Sequence, residues 1–281
     1  MDKLVNQKYT EERDLFGIDN LELCDCIFES SIGESPIKES SNVIIRNSLF
    51  AMRYAIWHSK NINIYNCLFE VTTRAPFWYT QNLNVYDSKI LAPKALRECV
   101  DGLISNSSIE SNEFGWKIKK YSFIDTIIDG EYAFFGSKEL DFNNLKFSGK
   151  YSFQYAKNTT IKDAVLHTKD AFWHSENITV INSIIKGEYL GWYSKGLHLI
   201  NCKIIGTQPL CYCENLTLTN CTLEECDLAF EYSEVDATIN STIDSVKNPL
   251  SGKIISKGIK ELIIDEFNKA KEEVIIETID E

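Results

Sequence analysis

Cutting the chain at its internal repeat brings all five tryptophans into one column: Trp57, Trp78, Trp116, Trp173 and Trp192. The same column holds Lys38, Arg97 and Glu231. Charged side chains are costly in a core, so their presence argues that the column faces outward. Rings at strand spacing on an outer wall suit the flat apolar faces of sugars, or cation–π pairing with Lys38 and Arg97. A contiguous exposed aromatic patch marks a contact surface. Trp57, Trp78, Trp116, Trp173 and Trp192 are therefore candidate ligand-stacking residues, with Arg97 placed to engage an anionic group. The opposite parity is also open: the indoles would fill the interior and the neighbouring phenylalanine column would face solvent.

Acid/base chemistry has fewer candidates. Asp170 lies four residues before His174 on the approach to the same segment, and Glu231 shares the tryptophan column. Asp170, His174 and Glu231 are the candidate catalytic residues; a solvated strand-end pair is the plainer reading of Asp170 and His174. Glycine recurs in Gly130-Glu-Tyr, Gly149-Lys-Tyr and Gly187-Glu-Tyr, read as a turn needing positive φ. No metal site or cofactor is implied, since Cys211 and Cys213 have no histidine nearby at a ligand spacing.

The repeat that aligns these residues is about nineteen residues long. Asp25, Asn47, Asn66, Asp87, Asn106, Asp125, Asn144, Asp163, Asn182, Asn201, Asn220 and Asn240 mark twelve copies. Apolar residues stand three positions after these landmarks. Two positions before them the same holds, apart from Thr238. Local alternation, as in 178–182, reads as strand with one face inward. Strands recurring without hairpin signals must be parallel. The predicted fold is all-β: a single-stranded right-handed parallel β-helix of about twelve 19-residue coils, three short strands per coil. An Asn/Asp ladder is expected at one inward-facing corner, and handedness follows the general rule for parallel connections. Residues 1–281 are expected as one domain: an N-terminal cap over 1–14, coils over 15–265, and a C-terminal cap and acidic tail over 266–281, with a helix at Phe267–Glu273. The position after each landmark accepts Cys, Ser, Thr or Ala, so its cysteines are expected as small buried fillers with free thiols.

The formal net charge of −12 disfavours nucleic acid as a partner. No apolar stretch approaches ~20 residues, so no membrane span is expected. The start of the chain has no apolar signal core, and the expected location is cytoplasmic.

The repeat, with SPIKES (35–40), DAFWHSEN (170–177), GEYLGWYSK (187–195), LAFEYS (228–233) and SVKNPLSG (245–252), resembles a bacterial family of unassigned function grouped with the pectin-lyase-like β-helices. The resemblance covers essentially the whole chain and implies the fold; it carries no catalytic residues. The better-known members of that superfamily are polysaccharide lyases and hydrolases that bind sugar chains along an outer sheet. The Asn-Thr-Asp, Asp-Asp, Gly-His-Gly and Arg-Ile-Lys set of polygalacturonase-like enzymes is missing, and Lys117-Ile-Lys119 imitates only the last. No acidic calcium-binding cluster of the pectate lyase kind accompanies Arg53, Arg74 or Arg97. The expected function is binding of a carbohydrate or glycosylated small molecule along the outer aromatic face, with enzymatic activity left open. The alternative is an interaction scaffold or homo-oligomer using the same face.

Overall fold

In the computed structural model the chain winds as a right-handed parallel β-helix of about fourteen turns. Residues 1–270 and 274–279 are described. Two compact units, Met1–Asp141 and Phe142–Glu281, are each built from such turns.

In the N-terminal unit, alternating apolar residues place one first-side strand in each turn. Asp19–Cys24, Ser41–Arg46, Lys60–Tyr65, Gln81–Tyr86 and Val100–Ser105 pair in parallel. Equivalent residues superimpose: Ile45 on Ile64, Ile64 on Val85, Val85 on Ile104. On the second side Phe28, Phe50 and Phe69 stack with ring centroids 4.4 and 4.6 Å apart, all fully buried. The stretch 1–14 is not the expected cap. Asp2–Val5 and Lys8–Tyr9 pair in parallel with Asp19–Cys24 and Ile27–Phe28, and Tyr9 extends the phenylalanine stack. The winding therefore begins earlier than the repeat is legible.

The C-terminal unit repeats the scheme. Ile161, Val180, Leu199 and Leu218 superimpose along one wall. Of the expected helix Phe267–Glu273, residues 271–273 lie outside the described residues, and 267–270 are not helical. Ile275–Thr278 pairs with Ser251–Ile263, so Glu277 and Thr278 belong to a strand and not to a frayed tail; 280–281 lie outside the described residues. Among the described residues no helix is long and apolar enough to cross a membrane.

The third side departs from expectation. Among the described residues it is a paired strand only at Ile37–Lys38, Ile56–Trp57 and Phe77–Trp78, continued by single parallel bridges to Arg97 and Trp116. In the C-terminal unit it is a run in which every second residue is left-handed, as at Asp170, Phe172 and His174 with φ of 52°, 63° and 54°. Its amides still pair between turns: Phe172 N–H donates to Ser152 O at 2.9 Å, and His174 N–H to Trp192 O at 3.0 Å. The alternate residues Phe153, Phe172, Leu210 and Phe230 are buried as expected.

The landmark corner is also corrected. Its Asn and Asp residues are exposed, not inward-facing. Most take φ near +50°, a conformation that Asn and Asp tolerate better than other non-glycine residues. Their amides bond from turn to turn on the outside: Asn66 to Asn47 at 3.0 Å, Asn201 to Asn182 at 3.1 Å, Asn220 to Asn201 at 2.7 Å. The buried Ser or Cys that follows has its own task. Ser88 Oγ accepts Cys67 N–H at 3.0 Å, and Ser107 Oγ accepts Ser88 N–H at 3.1 Å, filling the inside of the corner. All nine cysteines are buried and unpaired.

Candidate ligand-binding face

In the N-terminal unit the tryptophan column is half-buried on the outer side of the third wall. Lys38 Nζ sits 4.5 Å from the Trp57 ring. Trp57 and Trp78 stack at 6.1 Å. The Arg97 guanidinium lies between Trp78 and Trp116, at 5.6 and 4.7 Å. Arg97 Nη1 also donates to Glu113 at 2.8 Å, and its side chain is only 17% exposed. This arginine is therefore already ion-paired within the protein, with its buried Nε left without a hydrogen-bond partner, and its expected role toward an anionic ligand is not one the Glu113 pairing favours. One residue on, the left-handed corner carries His58 and Tyr79, with ring centroids 4.9 Å apart and planes tilted by 32°.

In the C-terminal unit Trp173 and Trp192 stack at 5.5 Å with ring planes within 5°. Their indole N–H groups donate to Tyr189 O at 2.6 Å and Gln208 O at 2.9 Å. The indoles are thus pinned by both ring contact and hydrogen bond, and their N–H groups are already used. They form a rigid floor more than an open groove.

The surface itself is the adjoining corner. Tyr155, His174, Tyr193, Tyr212 and Tyr232 form one continuous stack, with centroid separations of 5.0, 5.1, 4.7 and 5.5 Å. All five are left-handed, φ 53–59°, an unusual conformation for bulky residues. It turns the chain immediately after the tryptophan and leaves the rings outside, with Tyr193 43% exposed. The rings of Tyr155, His174, Tyr193 and Tyr212 face one another, while Tyr232 is tilted by 49° against Tyr212 and its hydroxyl donates to Phe267 O at 2.8 Å. A groove of about 380 Å³ runs beside Tyr193, Tyr212 and Tyr232, bordered by Glu214, Glu234 and Lys269.

The three candidate catalytic residues are not assembled into one set. Asp170 is buried, 7% exposed, and burial pushes its carboxyl pKa up. Among the described residues no hydrogen bond joins it to His174, whose ring is held in the aromatic stack. Glu231 lies three turns from Trp173 in the same column and is ion-paired with Lys247 at 2.9 Å. No group of three or more His, Cys, Asp or Glu among the described residues could hold a metal ion. The tyrosine corner was visible in the sequence as a recurrence one position past the column that holds the tryptophans. Lys269 lies outside the repeat, and no pattern announces it.

A parallel β-helix carrying stacked aromatic columns on its outer wall is the class that this geometry defines. The chain belongs to the family described as protein of unknown function (DUF3737), whose model matches residues 2–277. No curated protein matches it. Among solved structures it is similar to the A-module of the Azotobacter vinelandii mannuronan C-5 epimerase AlgE6, with 13% identity, TM-score 0.43, and coverage of 98% of this chain and 90% of that one. A mannuronic acid specific polysaccharide family 6 lyase from human gut microbiota is 8% identical, with TM-score 0.35 over 96% of this chain and 78% of that one. PfbA, a surface adhesin of Streptococcus pneumoniae, is 12% identical, with TM-score 0.33 over 81% and 69%.

Proposed function

We propose that this protein binds a carbohydrate chain, or a glycosylated small molecule, along its outer aromatic face. The observation that carries the reading is the aromatic row His174, Tyr193, Tyr212 and Tyr232, exposed at the first two and half-buried at the last two, on its floor of Trp173 and Trp192. Each turn offers an apolar ring edge 4.7–5.5 Å from the last, with polar tips at His174, Tyr193 and Tyr212. A saccharide chain likewise alternates apolar C–H surface with hydroxyls, so the two match without large rearrangement. Trp57, Trp78 and Trp116 give the N-terminal unit a second aromatic strip of the same kind, with Arg97 as its internal spacer. Binding, and not turnover, is the activity proposed, because Asp170, His174 and Glu231 stand apart.

The test is a glycan-array and tryptophan-fluorescence screen of the full chain, followed by Tyr193→Ala and Tyr212→Ala. A glycan that binds with a fluorescence change, and loses roughly tenfold in affinity in each variant at unchanged melting temperature, supports the reading. Unaltered affinity in both variants refutes it. A stable dimer in solution that protects Tyr193 and Tyr212 would replace it with self-association through the same face.

A further inference from the structure

The groove beside Tyr193, Tyr212 and Tyr232 already holds a cation supplied by the chain. Lys269 Nζ lies 4.5 Å from the centroid of the Tyr232 ring. Lys269 belongs to a stretch without regular structure and is exposed. An ammonium over an aromatic face is attracted by the ring quadrupole.

Two carboxylates border the same groove, Glu214 and Glu234, both exposed. Glu214 is paired with Lys195 at 2.9 Å. Glu234 Oε2 accepts only a long hydrogen bond, 3.4 Å, from Asn215 N–H, and among the described residues no cation pairs with it. The chain as a whole carries a formal charge of −12, so its long-range field favours positive ligands over negative ones. The one arginine in the tryptophan column is already bound to Glu113.

We infer that the groove selects a saccharide bearing protonated amines, an amino-sugar oligomer, whose ammonium group takes the place of Lys269 over Tyr232 and faces Glu234. This rests on the carbohydrate-binding reading above and names the class of sugar. Lys269 then acts as an internal competitor that leaves when the ligand arrives. Uronic-acid chains are disfavoured, since each carboxylate would meet Glu214 or Glu234 across the groove.

The experiment is titration calorimetry of the full chain with four probes: a glucosamine oligomer, its fully N-acetylated counterpart and an oligogalacturonate, all of equal length, and a lysine peptide. It is run about one unit below the amine pKa, so that the amines are charged. The glucosamine oligomer should bind roughly tenfold more tightly than the acetylated one, and progressively less tightly as salt is raised. Glu234→Gln should remove most of that preference. Lys269→Ala should raise affinity severalfold by removing the competitor, an outcome that misfolding does not imitate. Equal binding of charged and acetylated oligomers, still sensitive to Tyr212→Ala, overturns the amine selectivity and leaves carbohydrate binding in place. Tightest binding of the oligogalacturonate overturns the selectivity in the same way. A lysine peptide binding as tightly as the glucosamine oligomer overturns the sugar class. Binding of none of the saccharides overturns both readings.

Discussion

At the scale of single residues, the landmark Asn and Asp positions were legible as a column, but their direction was not. Both a buried amide stack and an exposed left-handed corner call for Asn and Asp at constant spacing. The deciding term is backbone conformation: φ near +50° costs most residues roughly 1–2 kcal/mol, and Asn and Asp less. Asn201 tests this, since it both donates to Asn182 and accepts from Asn220. Asn201→Ala is expected to lose about 1–2 kcal/mol in urea unfolding. Asn201→Gly should lose clearly less, although it removes the same side-chain bonds, because glycine enters φ of 53° freely. Equal losses would place the energy in the amide contacts. The tryptophans show a similar limit. Their column was readable, but neither of the two parities considered anticipated indoles held half-buried, at Trp173 and Trp192 by a carbonyl one turn away.

Among the elements, the third side shows where periodicity runs out. A strand and a run of alternating left-handed residues both send every second side chain inward. Phe153, Phe172 and Phe230 therefore fitted a strand pattern while the backbone adopted something else. The glycine motif is only partly a matter of φ: Gly149 and Gly187 take positive values of 149° and 158°, as expected. Gly130 has no positive φ; it sits where a Cβ would lie 2.0 Å from the carbonyl oxygen of Ser111. Close backbone approach, and not turn geometry, demands glycine there. Gly130→Ala should therefore cost about 3 kcal/mol or more in denaturant unfolding. A loss below about 1 kcal/mol would mean that the neighbouring turns separate easily.

For the molecule as a whole, the sequence yielded the β-helix and most of its turns, because superimposed cores impose a period on the chain. It missed the earliest strands, where Asp2–Val5 buries no side chain and so leaves no pattern. The buried thiols make stability depend on alkaline pH. Burial pushes Cys67 and Cys213 up to about 11, and Cys99 and Cys226 up to about 12. The unfolded thiols ionise near their ordinary value of 9.0. Folded pKa values above unfolded ones mean that this stabilisation is complete below about pH 9 and is lost as pH rises toward 11 and 12. Melting temperature should hold steady from pH 7 to 8 and decline above about pH 9, less steeply in a Cys99→Ala, Cys226→Ala double variant. A native protein alkylated as fast as free cysteine at neutral pH would contradict the burial.

The in-register stacking of turns has a consequence for how such a chain can lengthen or shorten. Excising residues 183–201 joins Asn182 directly to Cys202, so every later side chain meets a neighbour of the kind it had before. Such a deletion should still give a cooperatively melting protein, one rung shorter. Removing a few residues fewer should not, since all downstream positions would rotate out of phase. Family members are then free to differ in size by whole increments, with the reach of the aromatic edge rising or falling in step.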